Sequence, residues 1–167
     1  MKKLLFFFTT VIALSANAQQ PKDTSAPYLR NQNIPPIKII TAINGTDTTW
    51  FTNDNLPKDK TIAIIYFSPE CSHCQYEAKE LVKAKEQIQN LFFVWVAYHP
   101  VADNIAFAEK YQLNQLPNTV IGRDPKYFIP AFFRVEFTPF MAIYKKGKFV
   151  KEFREGAKVE ELVEVAK

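Results

Sequence analysis

The sequence predicts an α/β fold in which a mixed β-sheet is flanked by helices. Two runs, Thr61–Phe67 and Leu91–Tyr98, are almost wholly apolar, which is typical of strands covered on both faces of a sheet. Each run is followed by a segment with the apolar spacing of a helix, and a β-hairpin and a last helix complete the chain. Alternating strands and helices that end in a hairpin indicate a sheet with mixed strand directions.

The first residues have the pattern of a secretory signal peptide. Lys2 and Lys3 precede an apolar run, Leu4–Leu14, and Ala16-Asn17-Ala18 supplies the small residues of a cleavage site. The apolar run is shorter than the roughly 20 residues that span a bilayer. We therefore expect residues 1–18 to be removed on export to a bacterial periplasm, which leaves a soluble protein.

The rest of the chain suits one domain behind a short linker. Residues 19–36 are polar and rich in Pro, Asn and Gln, which predicts a flexible linker. Residues 37–167 then have the length of a domain with a single core. The chain carries a formal charge of +4, and loss of Lys2 and Lys3 brings it closer to balance. Since no dense basic cluster is present, nucleic acid is not an expected partner.

The predicted domain opens with a β-hairpin. The β-branched run Ile37–Ile43 suits a strand, and Asn44-Gly45 is a strong signal for a tight turn. Thr48–Phe51 supplies the returning strand. A short turn or one helical turn is expected over Asn53–Pro57, ahead of the first central strand, Thr61–Phe67.

Helices are predicted after both central strands. Apolar residues recur at helical spacing from about Ser72 to about Asn90, and again over Ala102–Gln112. A short extended piece, Leu116–Ile121, follows, and then an aromatic segment with room for a short helix, Pro125–Phe133. The final elements are the strands Phe140–Tyr144 and Phe149–Phe153 and the helix Val159–Ala166.

The residues with redox chemistry stand where the first central strand meets its helix. Cys71 and Cys74 are the only cysteines, and they occupy the predicted first turn of that helix. Unpaired N–H groups and the helix dipole favour a thiolate there. A disulfide between them would close so short a loop that chain entropy contributes little stability. A redox role therefore explains the pair better than a structural one.

With these features the chain resembles exported thiol–disulfide oxidoreductases of the thioredoxin fold, in particular the TlpA/ResA-like group. The likeness is carried by Cys71-Ser72-His73-Cys74 after a buried strand and by Thr138-Pro139 before Phe140–Tyr144. The terminal hairpin followed by Gly156, and the extra hairpin at the N-terminus, match this group as well. The sequence between the two motifs is long, which suits the helix and strand that this group carries as an insertion. Here that insertion would be Ala102–Arg123.

The resemblance implies disulfide exchange with protein substrates, in which Cys71 attacks and Cys74 resolves the mixed disulfide. It implies a redox partner in or at the membrane, and we expect neither a cofactor nor a resident metal. A Thr-Pro pair in this place is typical of reductive and isomerising members, so a reductase or isomerase is expected. The bond before Pro139 is expected to be cis, which leaves the backbone near Thr138 free to pair with an extended substrate. Candidates for an apolar rim around such a substrate are Phe67, Pro69, Tyr98, Phe137 and Phe140.

The sequence departs from common thioredoxins around the motif. Glu70 replaces the tryptophan that usually precedes the first cysteine, and Ile65 stands where the strand usually carries a buried acid. Glu70 or Glu77 would then accept the proton of Cys74, unless both are ordinary exposed acids at a helix start. His73 would either stabilise the reduced thiolate and raise the potential or be a solvated loop residue.

Three other functions compete with this prediction. A copper(I) metallochaperone of thioredoxin fold could use Cys71 and Cys74 as ligands together with His73 or His99. A peroxiredoxin would need a Thr-x-x-Cys setting, of which Ser68-Pro69-Glu70-Cys71 is a loose counterpart. A non-catalytic binding module is disfavoured by the paired thiols.

Overall fold

A computed structural model describes residues 25–43 and 47–167 of the chain. The strands are β1 (Lys38–Ala42), β2 (Thr48–Thr52), β3 (Thr61–Tyr66), β4 (Leu91–Ala97), β5 (Thr119–Arg123), β6 (Phe140–Lys145) and β7 (Lys148–Phe153). The α-helices are α1 (Pro27–Arg30), α2 (Ser72–Lys83), α3 (Val101–Lys110), α4 (Phe128–Phe133) and α5 (Val159–Ala166). Short 3-10 turns lie at Asn53–Asn55 and Leu113–Gln115.

All seven strands form one mixed sheet in the order β2-β1-β5-β4-β3-β6-β7. Strands β3, β4 and β5 are parallel, whereas β6 runs antiparallel to β3 and β1 runs antiparallel to β5. Ile64 of β3 pairs with Val94 on one side and Ala142 on the other. The predicted mixed α/β sheet is therefore confirmed, including the antiparallel pair of β1 and β2. The turn predicted at Asn44-Gly45 lies outside the described residues.

Burial on both faces explains why β3 and β4 are so apolar. On one face, Ile65 and Trp95 pack in a cluster with residues of α2, α3 and α5. On the other face, Ile64 and Val94 pack in a second cluster with residues of α1 and α4. Cys74 belongs to the first cluster, so the sheet buries one of the two sulfur atoms directly.

Helix α2 is shorter than the apolar spacing predicts. The pattern predicts a helix as far as about Asn90, but α2 ends at Lys83. Beyond it the backbone forms turns, in which the Gln87 N–H donates to the Ala84 carbonyl at 2.8 Å. Ile88 is buried by these turns. Ile88 matches the helical spacing of apolar residues in the sequence, but in the structure a turn places its side chain in the core.

Helix α1 and the residues after it pack against the domain. Tyr28 is only 1% exposed, and its ring lies 5.5 Å from that of Phe133 and 5.1 Å from that of Phe149. Arg154 Nη2 donates to the Tyr28 hydroxyl at 3.2 Å. Part of the segment predicted as a linker, residues 25–36, thus packs on the domain, because one aromatic side chain anchors a stretch that is otherwise polar. The flexible linker itself stays a prediction.

The signal peptide predicted for residues 1–18 lies outside the described residues, as do residues 19–24 of the predicted linker. Cleavage and export thus stay predictions. The longest helix in the described part of the chain is α2, with 12 residues. No helix there combines the length and apolar character needed to cross a membrane.

The packing of α1 can be tested by truncating its anchor. Tyr28→Ala should lower the free energy of unfolding by about 3–5 kcal/mol, the usual cost of removing a large aromatic side chain from a core. Leu29→Ala is the matched control, since Leu29 is 52% exposed, and it should cost about 1 kcal/mol or less. Urea unfolding measures both variants. Equally small effects would show that residues 25–30 do not pack on the domain.

Candidate active site

The N-terminus of α2 holds the two cysteines at the end of β3. Cys71 is the residue that caps α2, and Cys74 lies in the first turn. The backbone N–H of Cys74 donates to Cys71 Sγ at 3.3 Å. Cys71 is partly exposed, whereas Cys74 is 0% exposed. The structure thus brings the predicted pair together and gives the two sulfur atoms different surroundings.

Cys71 is the thiol that ionises more easily. Partial burial alone would raise its pKa, but hydrogen bonds to the sulfur outweigh burial and lower the pKa of Cys71. They come from the side chains of Cys74 and Thr138 and from the backbone N–H groups of Cys74 and His73. Backbone N–H groups at a helix start have no partner within the helix, so they are free to stabilise a thiolate. The protonated thiol instead donates to the Thr138 carbonyl at 3.2 Å.

Cys74 has the opposite character. Burial, aided by the hydrogen bond with Cys71, raises the pKa of Cys74 to about 12. Its sulfur packs in the apolar cluster that includes Ala78 and Leu81. Such a thiol stays protonated at neutral pH, so it needs a base before it can act as a nucleophile.

Glu77 is a buried carboxyl on the same helix. It follows Cys74 by three residues, which places the two side chains on neighbouring parts of the helix surface. Glu77 is 5% exposed, and the Ala157 N–H donates to its Oε1 and Oε2 at 3.2 and 3.3 Å. Burial raises the pKa of Glu77 to about 7 despite this N–H, and the charge of Glu80 adds to the rise. Glu77 is therefore not an ordinary exposed acid at a helix start, and it can exchange a proton near neutral pH.

Gly156 makes room for the Glu77 carboxylate. Its φ is +94°, a conformation that favours glycine. A Cβ on Gly156 would lie 2.7 Å from Glu77 Oε2 and 3.6 Å from Pro139 Cγ. The sequence marks Gly156 only as a break before the last helix. Its role beside Glu77 has no local signal, because the two residues are far apart in the chain.

The loop before β6 lies against the cysteine motif. Phe140 pairs with Tyr66 at the end of β3, so strand pairing carries the preceding residues to the start of α2. The Thr138–Pro139 peptide bond is cis, and Pro139 is buried. The hydrogen bond from Cys71 Sγ to the Thr138 carbonyl joins this loop to the site. The predicted residues Thr138 and Pro139 are thus in the candidate site.

A groove of about 380 Å³ opens beside the motif. Its lining residues are His73, Phe137, Thr138 and Glu155. Of the residues expected to form an apolar rim, Phe137 and Tyr98 are exposed. Phe67 and Phe140 are buried in the core instead, because both continue or begin central strands. Glu155 is a lining residue that sequence reasoning missed.

Glu70 and His73 are both exposed. Glu70 lines a different cavity, together with His99 and residues of α3. Of the two candidate acids, Glu77 is therefore the buried one. In the described part of the chain, no three His, Cys, Asp or Glu side chains come together as a metal-binding group. The copper interpretation, which needs Cys71 and Cys74 with a histidine, gains no support from this geometry.

Comparison with known proteins identifies the fold. No protein-family model and no curated protein matches the sequence. A secreted Mycobacterium tuberculosis disulfide oxidoreductase homologous to E. coli DsbE is 22% identical, covers 78% of this chain and 93% of its own, and gives a TM-score of 0.59. DsbF of the same organism is also 22% identical, with coverages of 71% and 89% and a TM-score of 0.58. A 2-Cys peroxiredoxin from Plasmodium vivax is 13% identical, with coverages of 80% and 91% and a TM-score of 0.64.

All three structures are less than 25% identical to this chain, so the comparison shows its fold. The activity has to be argued from the residues of the site. The oxidoreductases and the peroxiredoxin each cover between 71% and 80% of this chain. The fold predicted from the sequence is confirmed. The chain has the thioredoxin-like fold.

Proposed function

We propose that the protein is an exported thiol–disulfide oxidoreductase of the TlpA/ResA-like group that acts on protein substrates. The observation that carries this proposal is the contrast between a partly exposed Cys71 with a lowered pKa and a buried Cys74 with a raised pKa. Disulfide exchange needs one thiol that attacks and one that resolves. The signal-peptide pattern of residues 1–18 and the likeness to a secreted oxidoreductase support export to the periplasm.

In the reducing direction, the Cys71 thiolate attacks one sulfur of a substrate disulfide. The substrate S–S bond breaks, and its other sulfur leaves as a thiolate. A mixed disulfide then joins Cys71 to the substrate. The N–H groups of His73 and Cys74 stabilise the attacking thiolate before this step.

Cys74 completes the exchange after it has lost its proton. We assign Glu77 as the acceptor, because it is buried, lies one turn away and has a pKa of about 7. The Cys74 thiolate attacks Cys71 Sγ, and the second substrate sulfur leaves and takes up a proton. The protein is left with a Cys71–Cys74 disulfide, and the substrate has gained two electrons. A thiol partner in or at the membrane would return the pair to the reduced state.

Single serine variants separate the two thiol roles. Cys71→Ser should abolish reduction of a protein disulfide such as that of insulin, because no attacking thiolate remains. Cys74→Ser should accumulate a mixed disulfide with the substrate, visible by non-reducing electrophoresis and mass spectrometry. Lys79→Ala, at an exposed position of α2 outside the motif, is the control, which should retain turnover. Full activity in either cysteine variant would contradict the two-thiol mechanism.

Two measurements on the same protein address the alternatives. Titration with copper(I) against a competing chelator should show no tight equimolar binding, since the described residues bring no group of three His, Cys, Asp or Glu side chains together. The reduced protein should consume hydrogen peroxide no faster than an ordinary thiolate of lowered pKa does. Tight equimolar copper binding would favour a metallochaperone, and rapid peroxide reduction would favour a peroxiredoxin.

The buried Glu77 carboxyl should make stability depend on pH with a definite sign. The carboxyl has an ordinary pKa of 4.5, and burial raises the pKa of Glu77 to about 7, so the folded state holds the proton more tightly. The resulting stability is complete below pH 4.5 and is lost as the pH rises through 7, by an amount on the order of 3 kcal/mol. Glu77→Gln should remove this loss in urea unfolding experiments, whereas Glu70→Gln, at the exposed second candidate acid, should keep it. The same pH dependence in Glu77→Gln as in the wild type would refute the assignment.

Glu77 should also control the second chemical step. The rate at which Cys74 resolves a preformed mixed disulfide should rise as the pH increases through about 7, since the carboxylate is then available as base. Glu77→Gln should slow this step and abolish the inflection, while the first attack by Cys71 keeps its rate. Stopped-flow measurement of the two phases separates them. An unchanged second phase in Glu77→Gln would exclude Glu77 as the proton acceptor.

A further inference from the structure

We propose that the groove beside the cysteine motif selects disulfides that lie next to a basic side chain. Glu155 is the carboxylate that pairs with the lysine or arginine, and Phe137 is the surface on which that side chain lies. This inference rests on the proposed function and names its substrate class. Both residues act on specificity, since neither contacts the reacting sulfur atoms.

The groove includes the residue that contacts the attacking sulfur. His73 and Thr138 line it together with Phe137 and Glu155. Thr138 accepts a hydrogen bond from Cys71 Sγ at 3.2 Å, so a chain bound in the groove lies directly beside the attacking sulfur. Residues adjacent to the reacting cysteine of the substrate are therefore the ones that meet Phe137 and Glu155.

Phe137 presents an aromatic ring to solvent at this point. Its side chain is 65% exposed, although the residues that follow it, Pro139 and Phe140, are buried. The face of an aromatic ring attracts an ammonium or guanidinium group. The apolar stem of a lysine or arginine covers such a ring while its charged end stays in water.

Glu155 supplies a negative charge that can pair with the ammonium or guanidinium group of a bound lysine or arginine. It is exposed, and the basic residues closest to it in sequence interact with other carboxylates. Arg154 donates from Nε to Glu152 at 2.9 Å and from Nη2 to the Tyr28 hydroxyl at 3.2 Å, on the side of α1. Lys158 acts on the carboxylate of Glu161 in α5.

The lining of the groove therefore favours one sign of charge. Apart from the imidazole of His73, Glu155 is the only titratable side chain among the described residues that line it. A basic side chain gains both the carboxylate and the ring face. An acidic side chain is repelled by Glu155, so the groove discriminates against it.

Peptide disulfides that differ at one position test this preference in the full-length protein. Three peptides carry Lys, Gln or Glu next to the cysteine, and kcat/KM is measured for each at low ionic strength. The Lys peptide should be reduced about tenfold faster than the Glu peptide, and added salt should narrow the difference, because the pair is exposed. Glu155→Gln should remove most of this preference, and Glu155→Lys should reverse it.

Two further variants separate charge from packing. Phe137→Leu keeps an apolar side chain but removes the ring, so it should reduce the advantage of the Lys peptide over the Gln peptide. Glu136→Gln makes the same charge change as Glu155→Gln at a residue outside the groove lining, and it should keep the wild-type preference. An equal loss of preference in Glu136→Gln and Glu155→Gln would show a general surface charge effect and overturn the assignment of Glu155.

The wild-type series also distinguishes this inference from the function on which it rests. Reduction of all three peptides at equal rates would overturn the charge preference and leave the oxidoreductase proposal intact. Failure to form a mixed disulfide with any of them, with the cysteines shown to be free, would overturn the proposed function and this inference with it.

Discussion

The hydrogen bond from the Cys74 N–H to Cys71 Sγ is the interaction on which the rest of the site depends. It forms because Cys71 caps α2 and Cys74 lies in its first turn. The same turn of helix that stabilises a thiolate on Cys71 carries the sulfur of Cys74 into the core. Unequal thiols are thus a consequence of how a helix begins against a buried strand, and disulfide exchange makes use of that inequality.

Two distant segments complete what α2 begins. Pairing of β6 with β3 brings Thr138 to the Cys71 sulfur. The segment after β7 brings the Ala157 N–H to the Glu77 carboxylate. Gly156, which has no side chain, leaves space for that carboxylate. Strand pairing therefore positions the candidate substrate loop against the candidate nucleophile, and the segment after β7 reaches the candidate proton acceptor.

Much of this arrangement could be predicted from local patterns. The apolar runs of β3 and β4 and the two cysteines at a helix start are local, so the sheet and the motif were predictable. The end of α2 was not predictable, because Ile88 continues the helical spacing of apolar residues. It is buried although it lies in the turns that follow the helix. The packing of Tyr28 and the burial of Glu77 depend on residues far along the chain, and no local pattern reports such contacts.

The central claim is that Cys71 ionises while Cys74 stays protonated and buried. The most direct test is the rate at which each cysteine of the reduced protein is alkylated as a function of pH, with mass spectrometry to assign the product. Cys71 should react alone, with a midpoint below the ordinary pKa of a thiol, and Cys74 should react only after unfolding. Equal reactivity of the two thiols, or a midpoint for Cys71 at or above the ordinary value, would contradict the account.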